Sequence, residues 1–447
     1  MHENRYIKLI LFAIILLNIV FLYATDEEFL LDKIVFKGDG RSKERFLKRC
    51  CELKENRHYS RHDIEEAKTK LINTGFYAEV EYEIEKTGDN KYNLIIAYKE
   101  RITKYPFPLP FVSYYPERNK LPFKDRIELG LKYTDRHFLG NGYRIAFTGA
   151  ALGLWRLEGE WVSPWGYKDI IGYQAKVSYY SARNPFPEDT LDITKDKYIV
   201  SEAGLNFFPL KRFGAYSLAG IEYFKRIPAF ELYNENGDLY VREKLGAYYD
   251  TRDIYENPLK GFRISSETVF YQGLYKNIPY VGEHNFSVTH IIPIWKKLRF
   301  ASGGVASYIS GKDIPPYKQG HWGGGSSLRG YEEGDWEYIK AVRGNFEIRF
   351  PIIPKKIFDV PYTGRWGKNI DLTIDGGFFL DAGYLYSGRQ IEYTRYYEDY
   401  KWYPAGGVGG GIRFIVPWFG CARIDYGVAR NRKIKDGILH LSLNLIP

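Results

Sequence analysis

The chain has 447 residues, of which 45% are hydrophobic, 27% charged and 17% aromatic, and it carries a formal net charge of +9. A mean hydropathy of -0.39 excludes a bundle of membrane helices. Forty Tyr, 28 Phe and 9 Trp are too much buriable surface for a disordered chain. The basic residues are interleaved with 55 Asp and Glu along the whole length, so nucleic acid is not expected as a partner. Cys50 and Cys51 are adjacent and Cys421 stands alone, which gives neither a disulfide framework nor a zinc spacing.

At the N-terminus, Arg5 and Lys8 precede an apolar run from Leu9 to Leu22, followed by Tyr23-Ala24-Thr25-Asp26. A basic head, an apolar core of about 14 residues and a small residue before a charged segment predict an export signal over 1–24. An uncleaved anchor is the alternative. Residues 27–100 read as a small α/β module. Ile34-Val35-Phe36 is a strand, ended by the turn cluster Lys37-Gly38-Asp39-Gly40. Ser42 is placed to cap a helix with Phe46, Leu47, Cys50 and Leu53 on one face. Ser60 with Asp63 three residues on resembles a capping box, and Ile64, Ala67, Leu71 and Ile72 form the stripe of a second helix that ends at Gly75. Val80, Tyr82 and Ile84, then Tyr92, Leu94, Ile96 and Tyr98, alternate as two strands joined at Gly88-Asp89-Asn90. The expected order is β-α-α-β-β.

Pro106, Pro108 and Pro110 mark a linker over 101–108, and from 109 to 447 the chain repeats one theme. Segments of about nine to eleven residues alternate polar and apolar, about sixteen times, between Gly, Asn, Asp and Pro. Ile127, Leu129, Leu131 and Tyr133 oppose Arg126, Glu128, Gly130 and Lys132, and Val342, Phe346, Ile348 and Phe350 oppose Arg343, Asn345, Glu347 and Arg349. Leu439, Leu441, Leu443 and Leu445 oppose His440, Ser442 and Asn444, and Cys421 falls on the polar side of its segment. The first segment starts near Leu109, the fourteenth near Gly407 and the last near Gly437. Charge on one face and apolar groups on the other suit a wall between lipid and a polar lumen. A soluble sandwich would alternate similarly. The export signal, the segment length and the aromatics at segment ends favour a transmembrane barrel. Two long interruptions remain, near 310–340 and 387–406. The first contains Gly323-Gly324-Gly325-Ser326-Ser327-Leu328-Arg329-Gly330-Tyr331. If that loop dips into the lumen, Arg329 needs a carboxylate, and Glu347 and Asp381 face inward on successive strands. The alternative is an arginine on an exposed loop tip.

Residues 27–100, with Gly38, Gly75-Phe76-Tyr77 and Glu100, resemble a POTRA domain, the periplasmic module of the BamA superfamily. The rest resembles that superfamily's barrel. Leu328-Arg329-Gly330-Tyr331 is similar to its inward-loop signature, and Phe379-x-Asp381-x-Gly383 to the partner motif. Gly409-x-Gly411-x-Arg413 with Pro417, Gly420, Arg423 and Asp425-Tyr426-Gly427 resembles its penultimate hairpin. Asp250-Thr251-Arg252-Asp253 with Pro258 and Gly261 resembles another family turn, and Gly140-Asn141-Gly142 the first outer hairpin. The chain departs from the family in ending on Leu445-Ile446-Pro447 instead of an aromatic, and in carrying one POTRA domain.

The resemblance implies a mainly β protein, a sixteen-stranded antiparallel barrel after one POTRA domain, with Arg329 locked on Asp381 and no cofactor or metal. Glu347 as a second contact follows from its facing and adjacency. The implied location is the bacterial outer membrane, with the POTRA in the periplasm. The implied activity is insertion or translocation of unfolded or β-rich client polypeptides, delivered by the POTRA edge to a lateral seam between first and last strands. Accessory periplasmic or lipoprotein subunits would fit the same family. An enzyme is not expected, because no Ser-His-Asp order, P-loop or metal-ligand spacing stands out. The alternatives are a pore dedicated to one secreted partner, a passive channel or surface antigen, and a soluble carbohydrate-binding β protein.

Overall fold

The computed structural model describes residues 28–444 apart from 39, 89, 105–107, 115–121, 153, 165–169, 186–192, 211, 228–232, 235, 256, 323–327, 332–335, 363, 391–396, 417–419 and 431. The expected export signal, Pro106, the glycine run Gly323–Gly325 with its two serines, and Pro417 therefore lie outside the described residues.

The N-terminal domain consists of β1 (Glu28–Gly38), α1 (Glu44–Cys51), β2 (Arg57–Ser60), α2 (Arg61–Asn73), β3 (Tyr77–Gly88) and β4 (Lys91–Glu100). Its sheet runs β2-β1-β4-β3, with β1 and β4 parallel. Both helices lie on one face, and Leu31, Phe46, Leu47, Ile64, Leu71, Leu94 and Ile96 form the sealed core. Ser60 Oγ accepts from the Asp63 backbone and Asp63 returns a bond to the Ser60 N–H, a complete capping box. Two features depart from the sequence expectation. The four-residue β2 adds a strand between the helices, held by main-chain pairing to β1 without an apolar pattern of its own. Ser42 does not cap α1, whose cap position is Lys43. Its hydroxyl instead donates to Glu100 at 2.6 Å and lies 2.8 Å from the Tyr77 hydroxyl and 2.9 Å from His137 Nε2. Those bonds at the domain boundary outcompete a local cap.

The remaining strands form one antiparallel sheet of sixteen. They are β5 (Leu109–Tyr114), β6 (Ile127–Phe138), β7 (Tyr143–Leu152), β8 (Leu154–Ser163), β9 (Ile171–Pro185), β10 (Ile193–Leu210), β11 (Phe213–Ile227), β12 (Asp238–Asp250), β13 (Gly261–Gly273), β14 (Val281–Trp295) and β15 (Leu298–Gly311). After a loop containing the short hairpin β16 (Gly320–Trp322) and β17 (Trp336–Tyr338) come β18 (Lys340–Phe358), β19 (Ile370–Gln390), β20 (Tyr397–Val416), β21 (Gly420–Ala429) and β22 (Ile438–Asn444). Each strand pairs with its chain neighbour, β15 with β18 across the loop. The free edges are β5 and β22, of six and seven residues; no ladder joins them among the described residues. The interruption expected over 387–406 is mostly strand, because β19 runs to Gln390 and β20 begins at Tyr397, in stretches whose sequence lacks the apolar alternation that marks a strand.

Alternation sorts the side chains. Along β18, Val342 and Ile348 are 55% and 44% exposed, whereas Glu347 is 6% exposed. Leu131, Leu157, Ile221, Phe378 and Leu441 are likewise exposed, and Glu128, Glu222 and Asp381 fully buried. This outward apolar surface requires a non-aqueous neighbour. The sheet curls round its polar face, since residues of the loop between β15 and β18 touch strands as far apart as β11 and β22.

Because β5 leaves the N-terminal domain, every second connection returns to that domain's end of the sheet. The Gly140-Asn141-Gly142 turn between β6 and β7 therefore lies beside the N-terminal domain and is not an outer hairpin: the Gly140 carbonyl accepts from the Lys43 N–H at 3.1 Å. The residues after β4 are pinned. Arg101 is buried, donates to the Gly75 carbonyl at 3.0 Å and pairs with Asp371 at 2.6 Å, at the start of β19. Arg41 pairs with Asp135 of β6, and Asn73 at the end of α2 donates to the Asp253 carbonyl at 3.1 Å and accepts from the Tyr255 N–H at 3.1 Å. The Asp250–Gly261 turn is thus a seat for α2. Asp253 Oδ1 organises it by accepting from the Ile254, Leu259 and Lys260 backbones, and Gly261, with φ +107, passes where a Cβ would strike the Thr251 carbonyl.

Candidate functional site

The candidate site lies on the polar face of the sheet, where the loop from β15 to β18 folds inward. Leu328 is fully buried among Tyr331, Ala405 and Ala429, so the tip is held by packing before any charge is counted. Arg329 follows, 3% exposed. Its Nε and Nη2 donate to the two oxygens of Asp381 at 2.6 and 2.5 Å, a bidentate fork, and its own backbone N–H reaches Asp381 Oδ2 at 3.1 Å. Nη1 donates to Glu347 Oε1 at 2.7 Å and lies 4.0 Å from Asp425. The guanidinium sits 3.5 Å over the Phe379 ring, which covers the face that hydrogen bonds leave open. These partners hold the charged form of Arg329 in a buried place.

Three strands supply the wall. Glu347 lies on β18, Phe379, Asp381 and Gly383 on β19, and Asp425 on β21. Glu347 also accepts from Arg349 at 2.7 Å, Arg413 at 2.5 Å and Arg423 at 3.1 Å, so one carboxylate faces four guanidinium groups. Asp425 pairs with Arg423. Asn345 donates to Asp381 Oδ1 at 2.8 Å. The structure thus brings Arg329 together with Asp381, Glu347, Asp425, Phe379 and, through Glu347, Arg413.

The glycines explain how a main chain gets this close. A Cβ on Gly407 would stand 1.9 Å from the Arg329 carbonyl oxygen, and one on Gly427 2.6 Å from the Gly330 nitrogen. At Gly409 it would strike the Tyr426 carbonyl and the Phe379 ring, at Gly411 the Asp425 carboxylate, and at Gly383 it would press on Trp322 and Leu328. Gly330 itself has φ +95. The glycine-rich stretch of β20 is therefore a trough in which the loop lies.

Sequence reasoning missed two groups. Gly407 was legible only as a segment start and Gly427 only as a motif glycine, neither as the floor under Arg329. His440 on β22 accepts from the Gly330 N–H through Nε2 at 2.9 Å, which ties the tip to the last strand of the sheet. Its alternation marks the facing, but nothing in the sequence names that partner. The Gly406 N–H on β20 donates to the Tyr331 hydroxyl at 3.3 Å. Among the described residues no cluster of His, Cys, Asp and Glu has metal-binding geometry.

The family model described as the Omp85 superfamily domain matches residues 123–445, and the POTRA model, described as a surface antigen variable number repeat, matches 29–101. Among solved structures, the chain is similar to BamA from Haemophilus ducreyi lacking POTRA domains 1-3, at 17% identity and a TM-score of 0.53, over 93% of this chain and 83% of that one. It is similar to CdiB from Escherichia coli at 13% identity and a TM-score of 0.58, and to CdiB from Acinetobacter baumannii at 12% and 0.53, in each case over 93% of this chain and 74% of the other. No curated protein sequence matches.

Proposed function

The chain belongs to the Omp85 superfamily, and from that premise we propose that it is an outer-membrane barrel that moves β-rich polypeptides into or across the membrane. Its POTRA domain stands in the periplasm beneath the barrel, and the seam lies between β5 and β22. The observation that carries this reading is the pairing of a weak edge with a strong interior. β5 and β22 stand at the two ends of the strand order, and no ladder joins them among the described residues. An unpaired strand edge offers N–H and C=O groups to any extended chain. Pro110 within β5 has no N–H to donate to a ladder. Meanwhile Arg329 holds the inward loop on the β18–β21 wall and Gly330 holds β22 through His440. The site is a lock that stiffens the wall beside a yielding seam, and it does no bond chemistry.

Depletion of the protein followed by outer-membrane proteomics tests the reading. Loss of many barrels supports insertion at the seam. Loss of one exported protein supports a dedicated pore through the lumen. An unchanged outer membrane, with steady conductance from the purified protein, contradicts both and leaves a passive channel.

A further inference from the structure

The outward face of β8–β11 carries charge at one place, and that place is the rim far from the N-terminal domain. On β11, Phe213 follows Arg212, whose carbonyl accepts from the Asp250 N–H at the seat of α2, so β11 starts at the periplasmic end. From Phe213 to Tyr223 the strand rises about 33 Å, or about 25 Å of depth at the usual tilt, which is the height of the apolar band of a membrane barrel. Tyr223 therefore marks the outer boundary of the band. There the register aligns Leu157 of β8, Tyr179 of β9, Ile199 of β10 and Tyr223 in one row, with Leu157 and Ile199 exposed.

The next row outward is Trp155, Ser181, Lys197 and Lys225. Lys197 and Lys225 are register partners, on the same face as the exposed Ile199 and Ile221, with their Cβ atoms about 5 Å apart. Like charges directly opposite each other weaken a ladder. Two residues further out, the ladder pairs Lys195 with Arg183. Asp196 and Arg226, the chain neighbours of the two lysines, face the lumen and pair with each other at 2.9 Å. Among the described residues neither Lys197 nor Lys225 pairs with a carboxylate. An anion between them removes the repulsion, and lysine binds phosphate as a point charge. The row beneath decides what carries that anion. A free phosphate ion gains nothing from Leu157, Ile199 and Tyr223, whereas a lipid with its phosphate at the lysines lays its chains along them.

We propose that Lys197 and Lys225 hold the phosphate of an anionic lipid in the outer leaflet, with its acyl chains on the row of Leu157, Tyr179, Ile199 and Tyr223. The face is continuous with the lipid-facing wall, and no client takes part, so failure of this site leaves the transport reading standing.

Native mass spectrometry of the full chain, folded in detergent micelles, tests it. The probes are lipid A, which is an acylated disaccharide with two phosphates, the same lipid stripped of phosphate, and inorganic phosphate. The variants are Lys197→Gln with Lys225→Gln, and Lys197→Glu, which turns the opposed pair into an attractive one. Heat-modified migration on gels checks that each barrel is folded. The parent should retain lipid A, and the double variant should bind it about thirty-fold more weakly, as expected for two cations lost near a membrane surface. Lys197→Glu keeps the test standing if the double variant does not fold. It should lose lipid A as fully, while its lipid-free barrel withstands at least as much denaturant as the parent. Lipid A held equally by parent and variants, or not held by the parent, overturns the site. Dephosphorylated lipid bound as tightly as lipid A also overturns it. Inorganic phosphate that displaces lipid A at equal concentration overturns the lipid assignment in favour of a free-anion site.

Discussion

In the POTRA domain, Val80 and Leu94 turn toward the helices while Glu81, Glu83 and Glu85 turn toward water. In β18 of the barrel, Val342, Phe346 and Ile348 turn outward while Asn345, Glu347 and Arg349 turn toward the interior. Both regions use the same two-residue period, with the apolar side facing opposite ways. The small domain buries that side under α1 and α2 and needs nothing else. The barrel buries charge instead, and so must neutralise each inward group with another, Asp381 with Arg329, Glu222 with Lys318, Asp375 with Arg299. The apolar side of the barrel is stable only against lipid. A dry core therefore tolerates loss by packing, whereas the barrel interior tolerates loss only if charges remain paired.

The largest effect expected from breaking this comparison is at Arg329. Its removal leaves Asp381 and Glu347 buried with one fewer cation, and removing one partner from a buried pair costs about 3–5 kcal/mol. Asp381 keeps only Asn345 among the contacts described above, while Glu347 keeps three arginines, so the loss falls mainly on loop docking and not on the barrel. Arg329→Ala should free the loop to added protease while the barrel still migrates as a folded band on unheated gels. In cells it should lower client levels; normal levels would remove the lock role. Leu71→Ala should cost the POTRA domain about 2–5 kcal/mol, read as lost amide protection in β1 and β4 with the barrel strands unchanged.

The lipid face gives the next test. Ile348→Lys should destabilise the barrel by about 2–4 kcal/mol in bilayers if the position lies near the midplane, measured by denaturant unfolding in vesicles. The same change would cost almost nothing on a face in contact with water, which would then read as a soluble sandwich. The smallest effect is Ser60→Ala, about 1 kcal/mol, confined to exchange of the first amides of α2.

Where alternation was strict, the sequence was enough to place strands. The start expected near Leu109 coincides with the one observed, the last strand begins within one residue of the expected Gly437, and the expected sixteen segments match the sixteen-stranded sheet. It failed where pattern and solvent part company. β20 begins at Tyr397, ten residues before the expected Gly407, in a segment of charges and aromatics without apolar alternation. β2 has four residues and no apolar side. Ser42 has every local attribute of a cap, and a tertiary carboxylate takes its hydroxyl. The residues alone left Arg329 open between an exposed loop tip and a buried pair; the resemblance to the inward-loop motif pointed it to Asp381, and facing and adjacency suggested Glu347. The Lys318 and Arg101 pairs were not legible, since each residue sits in a segment without periodicity and finds its partner 96 and 270 residues away.

The most direct measurement is the chemical accessibility of the loop tip. Leu328→Cys, in a background with Cys421→Ala, can be probed with a membrane-impermeant maleimide on intact cells. The folded-in tip predicts no labelling with Asp381 present and rapid labelling once Asp381→Asn and Glu347→Gln are added. Rapid labelling of the tip with both carboxylates intact would contradict it.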